Sequence, residues 1–245
     1  MTYSISDYQA YLEKLEKIQE IDWVKNHLYL MKKPNFWTIL EYGKEQVKSK
    51  ERSSHEIRTS RMIRWLLDAN GTHNLGNIFA HKLIQLIGGE YHYRPTKNEK
   101  IKVIAEYNDI DVFLTDQSQN VYLAIEVKQF AKEGITSGSK SQLDKYEEIV
   151  ESLRSKNDNI YQPYYIFLTP LKEQPSNKNW HPLGYEELIA IINEVYEEFM
   201  ISSDDPFIED TKKIVLDFKD DLQRTVDFLK KDHTLALHKC SLNFQ

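Results

Sequence analysis

The chain's 245 residues, 40% hydrophobic and 29% charged, suffice for one domain with a sizeable core. A net charge of −6 and a pI near 5.8 argue against a protein that merely coats nucleic acid. They do not exclude an enzyme acting on it, because a metal neutralises the carboxylates that hold it and a local basic patch still steers phosphates. Cys240 is the lone cysteine, which excludes an internal disulfide and a cysteine-built metal cage. No apolar run approaches the roughly 20 residues needed to cross a bilayer. The start "MTYSISDYQAYLEKLEKIQ" lacks a basic stretch followed by an apolar one, so a soluble cytoplasmic protein with no membrane partner is expected.

In chain order, residues 5–32 read as helix, with Leu12, Leu15 and Ile18 at helical spacing among Glu and Lys. "KKPN" ends that helix and "FWTILEYGKEQVKSK" starts a second. A third begins near Ser53 and runs to about Asn70. "DANGTHNLG" is a loop, and "NIFAHKLIQLI" is a fourth helix closed by Gly88 and Gly89. Basic residues crowd 44–64 (Lys44, Lys48, Lys50, Arg52, Arg58, Arg61, Arg64) and recur in "TKNEKIK" at 96–102. They are either phosphate-steering patches or solvated faces.

The pattern then turns to strands, "KIKVIAEY", "DIDVFLT" and "VYLAIEV", the last two joined by the polar "DQSQN". "KEGITSGSK" is a loop, "SQLDKYEEIVESLRSK" a helix and "PYYIFLTP" a buried strand. Helices over 185–199 and 207–231 complete the chain. The strand–helix–strand passage over 121–169 predicts a parallel pair with a right-handed crossover. The fold class is therefore α/β, a mixed central sheet flanked by helices. It forms one domain, with a helical extension at 1–34, a core at 35–200 and a C-terminal helical extension at 201–245.

Charges interrupt these strands at Asp109, Asp111, Glu126 and Lys128. Side chains alternate along a strand. Val121, Leu123, Ile125 and Val127 therefore share one face, and Tyr122, Ala124, Glu126 and Lys128 the other. In the preceding strand Ile110, Val112 and Leu114 oppose Asp109, Asp111 and Phe113. If the two strands pair, the acidic groups converge. Carboxylates are hard oxygen ligands suited to Mg²⁺ or Mn²⁺. A metal held by two carboxylates and a backbone carbonyl keeps positions for water and a phosphate oxygen, and Lys128, two residues beyond Glu126 on the same face, could orient water or offset charge. That is the chemistry of phosphodiester hydrolysis. The bland alternative is a Glu126–Lys128 salt bridge on a solvated edge strand.

In this order and spacing Asp111, Glu126 and Lys128 resemble the signature of the PD-(D/E)XK nuclease superfamily, where an Asp begins one strand and Glu-x-Lys follows on the next. Gln142-x-x-x-Tyr146 on the following helix resembles a pattern of many of its nucleases. "HEIRTSRMIRWLLDANGTHNLGNIFAHKLIQLIG", with Glu56, Ser60, Trp65 to Asp68, Gly71 and His73, is similar to the N-terminal region of a bacterial branch. "YYIFLTP" and "NWHPLGYEELI" are similar to the same branch. One departure stands out: Ile110 occupies the place of the signature's Pro. The resemblance covers roughly residues 35–195 and leaves 1–34 and 200–245 outside.

What the resemblance implies is a restriction-endonuclease-like core and a Mg²⁺- or Mn²⁺-dependent nuclease acting on nucleic acid, DNA before RNA. Defence against phage is the implied setting, with a homo-oligomer or a defence-system protein as partner. Asp111, Glu126 and Lys128 would be catalytic, and Gln142 and Tyr146 would orient the site or touch the substrate backbone. Glu56, Asp111, Glu126 and Val127 would hold the metal. Two of these positions have local alternatives. Ser53-x-x-Glu56 and Ser139-x-x-Gln142 both read as capping boxes, and Tyr146 as an amphipathic residue at the rim of the core. His73 reads as a surface loop residue or a catalytic one, and Lys140 and Lys145 flank the expected substrate path. The competing functions are a nuclease-fold module that binds nucleic acid or protein without cutting, and a structural protein with a salt-bridge network.

Overall fold

The computed structural model describes residues 39, 54–129, 141–158 and 160–242, with side chains for residue 39 and from 56 to 231. The helices expected over 5–32 and 36–50 fall outside these residues, apart from Ile39, which is helical and buried. So do Ser53, Ser139, Lys140 and the 132–140 loop.

Helix α1 is Ser54–Leu67, closer-bounded than the expected helix. Asp68 ends it: its carboxylate accepts the Asn70 amide and its carbonyl accepts the Gly71 amide, turning the chain into the loop. Helix α2 is Ile78–Leu86. A meander follows, β1 Ile101–Tyr107, β2 Ile110–Asp116 and β3 Val121–Val127. Helix α3, Gln142–Lys156, crosses to β4, Gln162–Thr169, and β5, His181–Gly184, runs directly into α4, Tyr185–Val195. A π-helical turn, Tyr196–Met200, precedes the long α5, Ile208–Leu242. The strand β5 was not anticipated, because four residues containing Pro182 are too short to show a period of two.

The sheet order is β1-β2-β3-β4-β5. The meander pairs antiparallel, and β3, β4 and β5 pair parallel, so the sheet is mixed as expected. Every residue of β3 is buried, as befits a central strand covered on both faces. Val112, Leu114, Val121, Leu123, Ile125 and Val127 join the larger core beneath α1, α2, α4 and α5. Phe113, Tyr122 and Ala124 join a smaller, aromatic core beneath α3.

Ile110 departs from the alternation. It packs with Phe113 and Tyr122 rather than with Val112 and Leu114. The reason is an irregular entry to β2: Glu106, Asn108 and Asp109 have φ of 56°, 50° and 73°. The β1–β2 register passes from Ala105↔Val112 to Tyr107↔Ile110 over Glu106 and Asp111. Asp111 thus sits where the ladder gives way.

Helix α5 is part of the packed body as well as an extension. Ile208, Ile214, Val215, Phe218, Leu222 and Val226 are buried in the larger core, and the helix packs along α4. Among the described residues no helix is long and apolar enough to cross a membrane.

Candidate active site

The acidic residues meet at one end of the sheet, where β2 begins and β3 ends. Asp111 is the second residue of β2, and its Oδ2 accepts the Val127 amide of β3 at 2.8 Å. The bond joins the two strands beyond Val112↔Ile125, where their paired register ends. Glu126 has no exposed side-chain surface, and its Oε1 lies 2.6 Å from the Lys128 Nζ. The Lys128 amide donates to the Leu168 carbonyl at 2.9 Å, which extends the β3–β4 pairing and fixes the lysine's backbone.

Glu56 arrives from the other layer. It lies in the first turn of α1 on a stripe with Ser60, Ile63 and Leu67, all buried. Its Oε1 accepts the Gln129 amide at 3.1 Å, so this oxygen reaches across to the end of β3.

Three carboxylates therefore surround one ammonium. Burial alone would lower the Lys128 pKa, but Glu126, with Asp111 and Glu56 behind it, outweighs burial and raises it above the ordinary lysine value. Lys128 is thus a cation at neutral pH, a hydrogen-bond donor and not a proton acceptor.

The donor set is hard and oxygen-rich, which fits Mg²⁺ or Mn²⁺ and not a thiophilic ion. Among the described residues no group of three or more His, Cys, Asp or Glu is arranged as a ready-made cage. The cause is visible: Glu126 leans on Lys128, and Asp111 and Glu56 each give an oxygen to a backbone amide of the β3 end. Val127 lies between these partners, its side chain in the larger core.

Gln142 and Tyr146 lie at one remove. The helix cap is Ser141 with Asp144, and Gln142 is the first residue of α3, so the expected Ser139–Gln142 box is not what starts the helix. Gln142 Nε2 donates to the Tyr146 hydroxyl, which donates to the Asp109 carbonyl at 2.6 Å. Tyr146 is only 1% exposed, a core residue instead of a rim one, because this hydroxyl partner lets it be buried whole. The chain of bonds pins the irregular segment before Asp111. Asp109 itself is exposed, and its carboxylate pairs with Lys145 at 2.9 Å.

The other expected positions separate. His73 is fully buried; its Nδ1 accepts the Leu75 amide at 3.0 Å and its ring sits edge-on to Trp65 and Phe79. Burial pushes its pKa down to about 4, against the opposing pull of the Asp68 and Trp65 carbonyls. A Cβ on Gly71 would stand 2.9 Å from this ring, so the Gly-x-His pair is a packing device at the end of α1. Arg58 is exposed, Arg61 and Arg64 are half-buried, and Lys97, Lys100 and Lys102 are exposed.

Two residues near the cluster escaped the reading of the sequence. Gln129 is buried, its Nε2 donating to Thr225 Oγ1 of α5 at 3.3 Å. Tyr185, the first residue of α4, is buried where the charges of Glu56, Asp221 and Asp111 reach it. The signals were Gln129's place directly after Glu-x-Lys, and the parallel β3–β4–β5 order, which puts the start of α4 at the same sheet end.

A family profile described as the PD-(D/E)XK nuclease superfamily matches residues 46–236. The match reaches well into α5, past residue 195 where the resemblance was expected to end, in keeping with the buried residues that α5 supplies. No curated protein and no solved structure matches the chain. The chain belongs to the PD-(D/E)XK nuclease superfamily.

Proposed function

We propose that this chain is a divalent-metal-dependent nuclease that hydrolyses phosphodiester bonds, with DNA as its substrate. The observation that carries the reading is the convergence of Glu56, Asp111 and Glu126 around a charged Lys128 at one end of the sheet. Asp111, Glu126, Glu56 and the Val127 carbonyl would hold Mg²⁺ or Mn²⁺. Bound there, the ion supplies Lewis acidity toward a phosphate oxygen and lowers the pKa of a water.

The chain's own residues do the remainder. Lys128 keeps its proton and offers N–H donors to the attacking water or to a phosphate oxygen, where negative charge grows as water attacks in line and the P–O bond breaks. Gln142 and Tyr146 are positioning residues, since they hold the backbone two residues before Asp111. Burial of the cluster strengthens each of these interactions by excluding water. A role against phage DNA belongs to the same proposal and rests on the superfamily resemblance alone.

A second reading, a module that binds nucleic acid without cutting, draws on the tight Glu126–Lys128 pair. Incubating the protein with single- and double-stranded DNA and RNA, in Mg²⁺, Mn²⁺ or EDTA, separates the two. Cutting of DNA that EDTA abolishes supports the nuclease, and binding without cutting in any metal supports the module.

A further inference from the structure

Two buried polar atoms beside the carboxylates lack a hydrogen-bond partner among the described residues, the Gln129 Oε1 and the Tyr185 hydroxyl. The Thr59 hydroxyl lies next to the phenol without reaching hydrogen-bond geometry. Leaving such a group unmet is costly, so a fold rarely keeps two at one place without a use for them. Both flank Glu56. The Gln129 amide holds the Glu56 carboxylate, and Tyr185 feels the charges of Glu56 and Asp111.

Neither atom is left over from sloppy packing. Gln129 is held at both ends: its backbone N–H is on Glu56, and its side-chain Nε2 is on Thr225, whose own hydroxyl is spent on the Asp221 carbonyl at 3.0 Å. That arrangement fixes which end of the amide is nitrogen and leaves Oε1 as the acceptor. Tyr185 is held by the β5–α4 junction, with Gly184 capped by Glu187 at 2.9 Å. A phenol is protonated at neutral pH, so this hydroxyl is a donor.

Resting on the nuclease reading, we propose that Gln129, just past β3 and braced by α5, and Tyr185, at the start of α4, are further positioning residues of the active centre. With the ion bound, Gln129 Oε1 would accept a hydrogen bond from a water of the site, and the Tyr185 hydroxyl would donate one to the Glu56 carboxylate. Mg²⁺ and Mn²⁺ sites of this kind retain several waters, whose protons require acceptors that carboxylates already on the metal cannot all supply. Outer partners of this type are worth about 10–100-fold in metal affinity.

The test uses the full chain and Mn²⁺ alone as the probe, titrated by calorimetry, with thermal unfolding measured in EDTA. The variants are Tyr185→Phe, Gln129→Leu and Thr225→Val. Tyr185→Phe and Gln129→Leu should each weaken Mn²⁺ binding by at least about tenfold. Thr225→Val, which only loosens the amide, should weaken it less. Tyr185→Phe should unfold at the wild-type temperature or higher, because it removes an unmet polar group. A merely structural role gives the reverse, a lower unfolding temperature with unchanged Mn²⁺ affinity, and that overturns the proposal. Weakening in one of the two residues alone overturns the proposal for the other. If the wild-type chain binds no Mn²⁺, the nuclease reading falls and the inference falls with it, whereas wild-type binding unchanged in both variants overturns the inference only.

Discussion

Replacing Lys128 with Met removes the ammonium from a pair whose carboxylate partner has no exposed surface and whose own side chain is 10% exposed. Glu126 then loses this cation while it stays buried beside Asp111 and Glu56. Breaking a buried pair in this way costs about 3–5 kcal/mol. For a chain of this length each kcal/mol moves the unfolding temperature by about 2–4 °C, so Lys128→Met should unfold about 6–20 °C below wild type in EDTA. Glu126→Gln should cost less, because Lys128 keeps Asp111 and Glu56 as partners. The double variant should then lose less than the sum of the singles. The Lys128 pKa is raised on folding, so its contribution is fully present below the ordinary lysine value of 10.5 and lost only as pH climbs through the higher folded value. The deficit should therefore be constant between about pH 6 and 9. Saturating Mg²⁺, which substitutes for the missing charge, should recover about 2.7 kcal/mol at a hundred times its Kd. Circular dichroism melts in EDTA and in Mg²⁺ give these numbers. A Lys128→Met melt within about 2 °C of wild type in EDTA would refute the account of a charge-balanced buried cluster.

Three further outcomes are expected. Tyr146→Phe strips the hydroxyl that donates to the Asp109 carbonyl and accepts from Gln142; it should cost about 1–3 kcal/mol by denaturant unfolding and slow single-turnover cleavage while leaving KM for DNA nearly unchanged. His73 has a folded pKa near 4 against 6.5, so the unfolded chain binds the proton first and stability should fall by about 3 kcal/mol as pH drops from 6.5 to 4. His73→Gln should flatten that slope in pH-dependent unfolding without changing the metal dependence of cleavage. Asn177→Ala removes donors to Asp144 at 2.8 Å and Glu147 at 2.6 Å that fasten the start of α3. It should raise amide hydrogen exchange in 142–147, and unaltered exchange would count against this bracing.

The placement of Asp111 and Glu126 at one end of the sheet was legible in the sequence, for a physical reason. Parity along two strands depends only on neighbours, so the convergence of Asp111 with Glu126 followed from local pattern plus one pairing. The stripe Glu56, Ser60, Ile63, Leu67 was legible on the same terms, since helical periodicity placed all four against the sheet. Ile110 was misjudged because left-handed backbone at Asn108 and Asp109 breaks the alternation, and no residue type there demands it. Tyr146 was placed too near the surface because its hydroxyl partner is a backbone carbonyl, invisible in a side-chain pattern. The short β5, the burial of α5 and the approach of Tyr185 all depend on contacts made across long sequence separations. Burial of His73 likewise comes from rings at Trp65 and Phe79 closing over a loop that reads as solvated.

The central claim is that Asp111 and Lys128 belong to one metal-dependent hydrolytic centre. Its most direct test is single-turnover cleavage of radiolabelled DNA in Mg²⁺, by wild type, Asp111→Ala and Lys128→Ala, each first shown to be folded at the assay temperature. The account predicts cleavage by wild type that EDTA stops and that both variants lose by at least about a hundredfold. Folded variants that cut at the wild-type rate, or a wild type that binds DNA and never cuts it in any metal, would contradict it.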